Sequence, residues 1–173
     1  MAAPIVFLDL RGLALRGGDR YEGEYPLELA PIVLGGAHHD VLIPHRVAVA
    51  VDRVAGGFLV AVSLTAKVYG PCARCLSEVA LETQAQQQEF VPTAKGGWEE
   101  CDLSAFVEDM VVDVAAIARE ALVLSLPGQV LCSPSCRGLC PQCGQDLNRG
   151  SCECASEHCD DRWGKLRDMR SER

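Results

Sequence analysis

Eight cysteines of this chain fall into four short pairs: Cys72-Ala-Arg-Cys75, Cys132-Ser-Pro-Ser-Cys136, Cys140-Pro-Gln-Cys143 and Cys152-Glu-Cys154. Thiols at that spacing suit a tetrahedral metal ion. Zinc takes four soft ligands, and two cysteines two or three residues apart grip it from one tight turn. Pro141 and Gly144 let the backbone of the third pair fold round a metal as a knuckle. The third and fourth pairs lie close together, as Cys-x2-Cys-x8-Cys-x-Cys. Cys140, Cys143, Cys152 and Cys154 are therefore expected to hold one Zn2+ ion. Cys72, Cys75, Cys132 and Cys136 are expected to hold a second. His158 or Cys159 could replace one sulfur of the Cys152/Cys154 pair, and Cys101, alone, reads as a packed free thiol. Both sites are structural on this reading. Four thiolates and one dication add about −2 per site, which takes the formal net charge of −8 to about −12.

Other chemistries find less support. A catalytic zinc keeps one coordination position open, and four cysteines leave none. No HExxH motif occurs, and the four histidines are His38, His39, His45 and His158. The adjacent His38 and His39 suit a polar loop. Cys72 and Cys75 have the spacing of a redox dithiol, but no thioredoxin-like βαβ pattern surrounds them, and Pro71 fits a knuckle equally well. The acidic pairs Glu99-Glu100, Glu108-Asp109 and Asp160-Asp161 read as solvated surface. There is no phosphate-binding glycine loop. The chain is expected not to be an enzyme.

The elements that must position the cysteines are mostly strands. Residues 6–11 alternate, as do Val47–Val51 and Phe58–Leu64, the last two joined by a turn at Ala55-Gly56-Gly57. A further strand is expected over Ala66–Tyr69, ending at Gly70-Pro71. Residues 92–101 read as a loop. Leu103, Phe106, Val107, Met110, Val111, Val114, Ile117, Ala118, Ala121 and Leu122 then follow helical spacing, with Asp102 or Ser104 as the cap and Pro127-Gly128 beyond the end. The predicted class is α+β: an antiparallel β-rich body with one long packing helix, residues 1–131, and a small zinc-knuckle segment with a basic tail, residues 132–173. That segment holds too few apolar residues for a core of its own and needs a staple. A short tail helix would place Trp163, Leu166 and Met169 on one face.

Charge divides along the same boundary. Residues 1–131 carry nine basic against seventeen acidic groups, and residues 132–173 carry seven of each. The acidic body argues against simple phosphate-driven nucleic-acid binding. The start of the chain lacks the basic and long apolar stretches of a signal peptide, and no apolar run is long enough to span a bilayer. The cytoplasm is the expected compartment, where thiols stay reduced and ligate metals in preference to forming disulfides.

From residue 70 onward the pattern resembles a known family. Cys72-Ala-Arg-Cys75-Leu76 is followed by an acidic loop and a helical stretch ending at Pro127. Then come Cys132, Cys136-Arg-Gly-Leu-Cys-Pro-Gln-Cys-Gly-Gln-Asp-Leu-Asn148, Cys152-Glu-Cys154 and Asp161-Arg-Trp-Gly-Lys-Leu166. This is similar to the YceD family, the large ribosomal RNA subunit accumulation proteins of bacteria and plastids. The resemblance implies a non-enzymatic factor supporting accumulation or processing of large-subunit (23S) ribosomal RNA during ribosome assembly. Its implied partner is the pre-ribosomal large subunit, through rRNA, ribosomal proteins or both, with no membrane. It supplies no catalytic residue. Two other readings stay open: a zinc-dependent rRNA-processing nuclease, and a regulatory module whose acidic body binds a basic ribosomal protein.

Overall fold

Period-two alternation of apolar residues builds most of this architecture. The computed structural model describes residues 6–93 and 104–154. In chain order it contains β1 (Phe7–Asp9), a 3-10 turn (Leu10–Leu13), β2 (Arg20–Tyr25), β3 (Ile32–Leu34), β4 (Ala37–Leu42), β5 (Val47–Val54), β6 (Gly57–Pro71), β7 (Glu78–Pro92), β8 (Val107–Glu108), β9 (Val111–Asp113) and helix α1 (Val114–Ser125). Every strand pairing among the described residues is antiparallel. The α+β class expected from the sequence is the one observed: antiparallel sheets, a single helix, and a C-terminal cysteine cluster that fits a zinc-knuckle-like segment.

Strand β6 is the spine. One of its edges pairs with β5 at Gly57–Ser63 and with β4 at Lys67–Tyr69. Its other edge pairs with β7 along all 15 residues. β2 flanks β5, and β3 flanks β4. The inward residues Val60, Val62, Leu64, Ala66 and Val68 of β6 are buried with Val47, Val49 and Val51 of β5. α1 packs across β7 and β6 and buries Ile117, Ala118, Ala121 and Leu122. Sequestering each Ile or Leu side chain contributes roughly 1.5–3 kcal/mol. Valine, leucine and alanine thus do the work that aromatics do in other cores. No helix among the described residues is long and apolar enough to cross a membrane.

Several expectations need correction. The helix begins at Val114, not Leu103 (Leu103 and Asp102 lie outside the described residues). Val107 and Val111 belong to a hairpin whose two-residue loop, Asp109-Met110, has both φ angles positive, 45° and 67°. That is the twist a tight hairpin requires. Branched valines favour strands, and β9 gains a partner in β1 through Leu8↔Val112. The helical spacing of these residues loses to that pairing. The cap is Asp113, whose carboxylate accepts the Ala116 N–H at 2.9 Å. Ser104 instead accepts the Phe106 N–H in a turn. Near the start, the strand stops at Asp9 because its carboxylate captures the Arg11 N–H at 2.9 Å and folds the chain into the 3-10 turn. Residues 58–64 and 66–69 form one strand, since alternation runs unbroken through Thr65.

His38 and His39 are not in a polar loop. Both lie in β4, and His39 is only 2% exposed. Its Nδ1 meets the Ala37 carbonyl at 3.1 Å, and its Nε2 has no hydrogen-bond partner among the described residues. The imidazole lies flat against Gly70 of β6, so a Cβ there would overlap the ring. Gly70 stands two residues before Cys72, so this close approach fixes how β6 delivers the first cysteine pair. Gly70→Ala should destabilise the protein by about 1–3 kcal/mol through overpacking. Urea unfolding checks this; an unchanged midpoint would show that the buried ring can move aside.

Candidate metal centres

Cys72 follows directly on the last residue of β6, and Cys75 lies in the six-residue connection to β7. Two backbone bonds make that connection a knuckle: Cys72 N–H to the Ser77 carbonyl at 2.8 Å, and Leu76 N–H to the Cys72 carbonyl at 3.0 Å. The segment after α1 docks onto it. Ala73 N–H donates to the Val130 carbonyl at 2.8 Å, and Leu139 N–H to the Arg74 carbonyl at 3.1 Å. The Arg74 guanidinium donates to the Cys136 carbonyl at 2.9 Å. These contacts carry Cys132 and Cys136 to Cys72 and Cys75, and the four sulfurs lie within 4.8 Å of one another. Cys72 Sγ is 3.8 Å from Cys136 Sγ, and Cys75 Sγ is 3.5 Å from Cys132 Sγ. Sulfurs placed tetrahedrally at ~2.3 Å from an ion stand ~3.8 Å apart. The cluster therefore has the dimensions of a four-thiolate metal site.

The second cluster repeats the design within one short segment. Cys140, Cys143, Cys152 and Cys154 also have their sulfurs within 4.8 Å of one another. Cys140 N–H donates to the Gln145 carbonyl at 2.8 Å, and Gly144 N–H to the Cys140 carbonyl at 2.9 Å. Asn148 links the two sites. Its amide donates to Cys136 Sγ at 3.4 Å, and its carbonyl accepts the Arg137 N–H at 2.7 Å. Asp146 holds Asn148 in place by accepting from both its backbone N–H and its side chain.

Electrostatics at both sites favour a bound cation. Burial works to raise the Cys72 thiol, but N–H groups of Cys75, Arg74 and Cys132 pointing at its sulfur bring it down to about 6. Cys75 is lowered chiefly by the Ser77 hydroxyl, 3.0 Å away. The N–H groups of Cys143 and Gln142 lower Cys140 to about 6. In each cluster one member moves the other way. Cys132, beside Cys136 and Cys75, is pushed up to about 12, and Cys154, beside Cys143, is pushed up to about 12. Four converging thiols cannot all ionise without a compensating charge. A divalent ion held by the four sulfurs would supply it and would displace the remaining protons.

The structure brings together each of the two foursomes expected from spacing: Cys72, Cys75, Cys132 and Cys136 in one, Cys140, Cys143, Cys152 and Cys154 in the other. Cys101, His158, Cys159 and the tail with Trp163 lie outside the described residues. Sequence reasoning did not single out Arg74, Ser77 or Asn148. The signal for Asn148 was its place after a knuckle in a segment nearly without apolar residues, where a polar side chain must act as the internal support.

The molecule is an antiparallel β body joined by one four-thiol cluster to a cysteine segment that holds a second such cluster of its own. A family model described as large ribosomal RNA subunit accumulation protein YceD matches residues 60–170, and the chain belongs to the YceD family. It is 36% identical over 122 residues to an uncharacterized protein of Mycobacterium tuberculosis, covering 69% of this chain and 58% of the relative. An uncharacterized protein of Mycobacterium leprae is 31% identical over 124 residues, covering 69% and 56%. Large ribosomal RNA subunit accumulation protein YCED homolog 1, chloroplastic, of Arabidopsis thaliana is 30% identical over 61 residues, covering 35% of this chain and 19% of that protein. The match thus spans little more than half the length of the mycobacterial relatives. No solved structure matches the chain.

The two knuckles share one hydrogen-bond pattern, from the first cysteine's N–H and carbonyl to residues five and four further on. In both, the residue after the second cysteine is left-handed. In one it is Gly144, at φ 73°; in the other it is Leu76, at φ 61°. A side chain in that conformation costs roughly 1–2 kcal/mol, partly offset by the backbone freedom that glycine loses on folding. Leu76 is 64% exposed, so it recovers little by packing. Leu76→Gly should therefore stabilise the metal-loaded protein by about 0.5–1 kcal/mol. Chemical denaturation tests this, and a loss of stability would reveal packing of Leu76 that its exposure does not suggest.

Proposed function

We propose that this chain is a non-catalytic, zinc-stapled factor that supports accumulation of large-subunit ribosomal RNA during ribosome assembly in the cytoplasm. The family match over residues 60–170 carries the biological part of this reading. The chloroplast relative, whose name states the same role, adds support. The partner on this reading is the pre-ribosomal large subunit. The β-rich body (1–131) and the cysteine segment (132–173) are its two units, with the Cys72/Cys75/Cys132/Cys136 cluster as their joint.

The two thiol clusters carry the metal part. Soft sulfur donors at tetrahedral spacing select zinc over hard cations. Eight sulfurs grouped four and four fill the coordination of two ions and leave no position for a substrate or an activated water. That arrangement weighs against the nuclease reading.

Elemental analysis of the purified chain should find two zinc ions per molecule. Cys72→Ser should remove one and Cys152→Ser the other. A single ion, or both lost together, would contradict two separate sites. Depleting the protein from its host should lower the 23S RNA of mature large subunits and shift it to lighter precursors on a sucrose gradient. A normal precursor profile after depletion would sink the ribosomal reading and leave the metal sites untouched.

A further inference from the structure

We propose that Asn148 is a positioning residue that couples the two cysteine sites, so that an ion held by Cys140, Cys143, Cys152 and Cys154 tightens the grip of Cys72, Cys75, Cys132 and Cys136 on theirs. The proposal rests on the zinc reading of both clusters. Arg137, Gly138 and Leu139 separate the last ligand of the first foursome from the first ligand of the second. That bridge is bonded on two sides. Toward the first knuckle, Leu139 N–H donates to the Arg74 carbonyl at 3.1 Å, and a Cβ on Gly138 would stand 3.0 Å from the same oxygen. Toward the second, the Gly138 carbonyl accepts the Leu147 N–H at 2.9 Å, and Leu139 pairs with Asp146 as an antiparallel bridge.

Asn148 is the side chain that crosses from the second site to a ligand of the first. Its carbonyl accepts the Arg137 N–H at 2.7 Å, which fixes the way the amide faces. One amide hydrogen then goes to Asp146 Oδ1 at 2.8 Å and the other to Cys136 Sγ at 3.4 Å. A donor aimed at a ligating sulfur steadies both its charge and its direction, and such outer partners are worth roughly 10–100-fold in metal affinity. Asn148 is itself placed by the second site. It lies between Cys143 and Cys152, in the loop that an ion there closes. None of residues 144–151 is buried, so no apolar packing holds that loop in shape. Cys143 is exposed and Cys152 and Cys154 are half-buried, whereas Cys72, Cys75 and Cys136 are buried. The second site therefore exchanges its ion more readily, and its occupancy is passed inward to the joint with the body. Charge works the other way. Each full site carries about −2, so electrostatics alone would make either ion weaken the other. A favourable coupling thus reports the structural link and not general attraction for cations.

The test titrates zinc into the full chain against a chromophoric chelator. Cys152→Ser gives the affinity of the first site alone, Cys72→Ser that of the second, and the unaltered chain the overall constant for both ions. Dividing that constant by the two single-site values gives the coupling factor. It should be about ten. In Asn148→Ala it should fall to about two or less, while the second site's own affinity, read together with Cys72→Ser, changes by less than about twofold. With cadmium-113 in both sites, Asn148→Ala should move the resonance that Cys72→Ser removes and leave the other in place. The proposal is overturned by a factor of one or below in the unaltered chain, or by a factor that Asn148→Ala leaves unchanged. It is overturned equally by a loss confined to the second site's own affinity, which would make Asn148 a prop of its own loop. Fewer than two ions bound would overturn the metal reading as well, whereas two ions bound without coupling would overturn this proposal alone.

Discussion

The convergence of four thiols from two remote stretches, 72–75 and 132–136, is the constraint on which the rest of the structure depends. Cys72 and Cys75 sit at the tip of a long hairpin, and Cys132 and Cys136 lie beyond the helix. A covalent cross-link closing a loop of that size contributes about 4 kcal/mol by restricting the unfolded chain. A metal held by these thiols acts in the same sense, with its own binding energy added. Within residues 132–154, the described part of the cysteine segment, no side chain belongs to the main hydrophobic core, so this join is the main hold of that part on the body. Two supporting bonds, Ala73 N–H to the Val130 carbonyl and Leu139 N–H to the Arg74 carbonyl, run backbone to backbone, and the Arg74 guanidinium adds a third to the Cys136 carbonyl; a shift of one residue would separate the sulfurs.

The sheet and helix exist to make that convergence reproducible. β6 is held on both edges and packed by α1 on its inner face, so its end at Pro71 has a defined position. Gly70 against the buried His39 ring brings β4 close to that same end. α1, capped by Asp113, returns the chain across β7 and releases it at Leu126 toward Val130, where it meets Ala73. The irregular stretches that carry the four cysteines are thus hung from β6, β7 and α1, which are anchored in the valine core.

How much of this was legible in the sequence follows from the range of the signals. The cysteine pairs were readable because ligand spacing is local, and the grouping into two foursomes followed from how close the second set lies. β5 and most of β6 were readable from alternation. β7 was not: its glutamines carry weak strand preference, and only pairing with β6 makes it a strand. The hairpin at 107–113 was misread because Val107, Val111 and Val114 satisfy helical spacing, and nothing local reveals that Leu8 waits as a partner for Val112. The buried His39 was hidden for the same reason, since its environment is supplied by Gly70, thirty-one residues away.

The order of the ligands along the chain sets a schedule for its synthesis. Cys72 and Cys75 leave the ribosome about sixty residues ahead of Cys132 and Cys136, an interval of roughly 3–12 s at ordinary elongation rates. During that time the β6–β7 hairpin can close, but its tip holds only half a coordination shell. The second cluster completes within fifteen residues, from Cys140 to Cys154. The nascent molecule therefore carries an open two-thiol site for seconds, and that is when competing metals and oxidants have their best access to it.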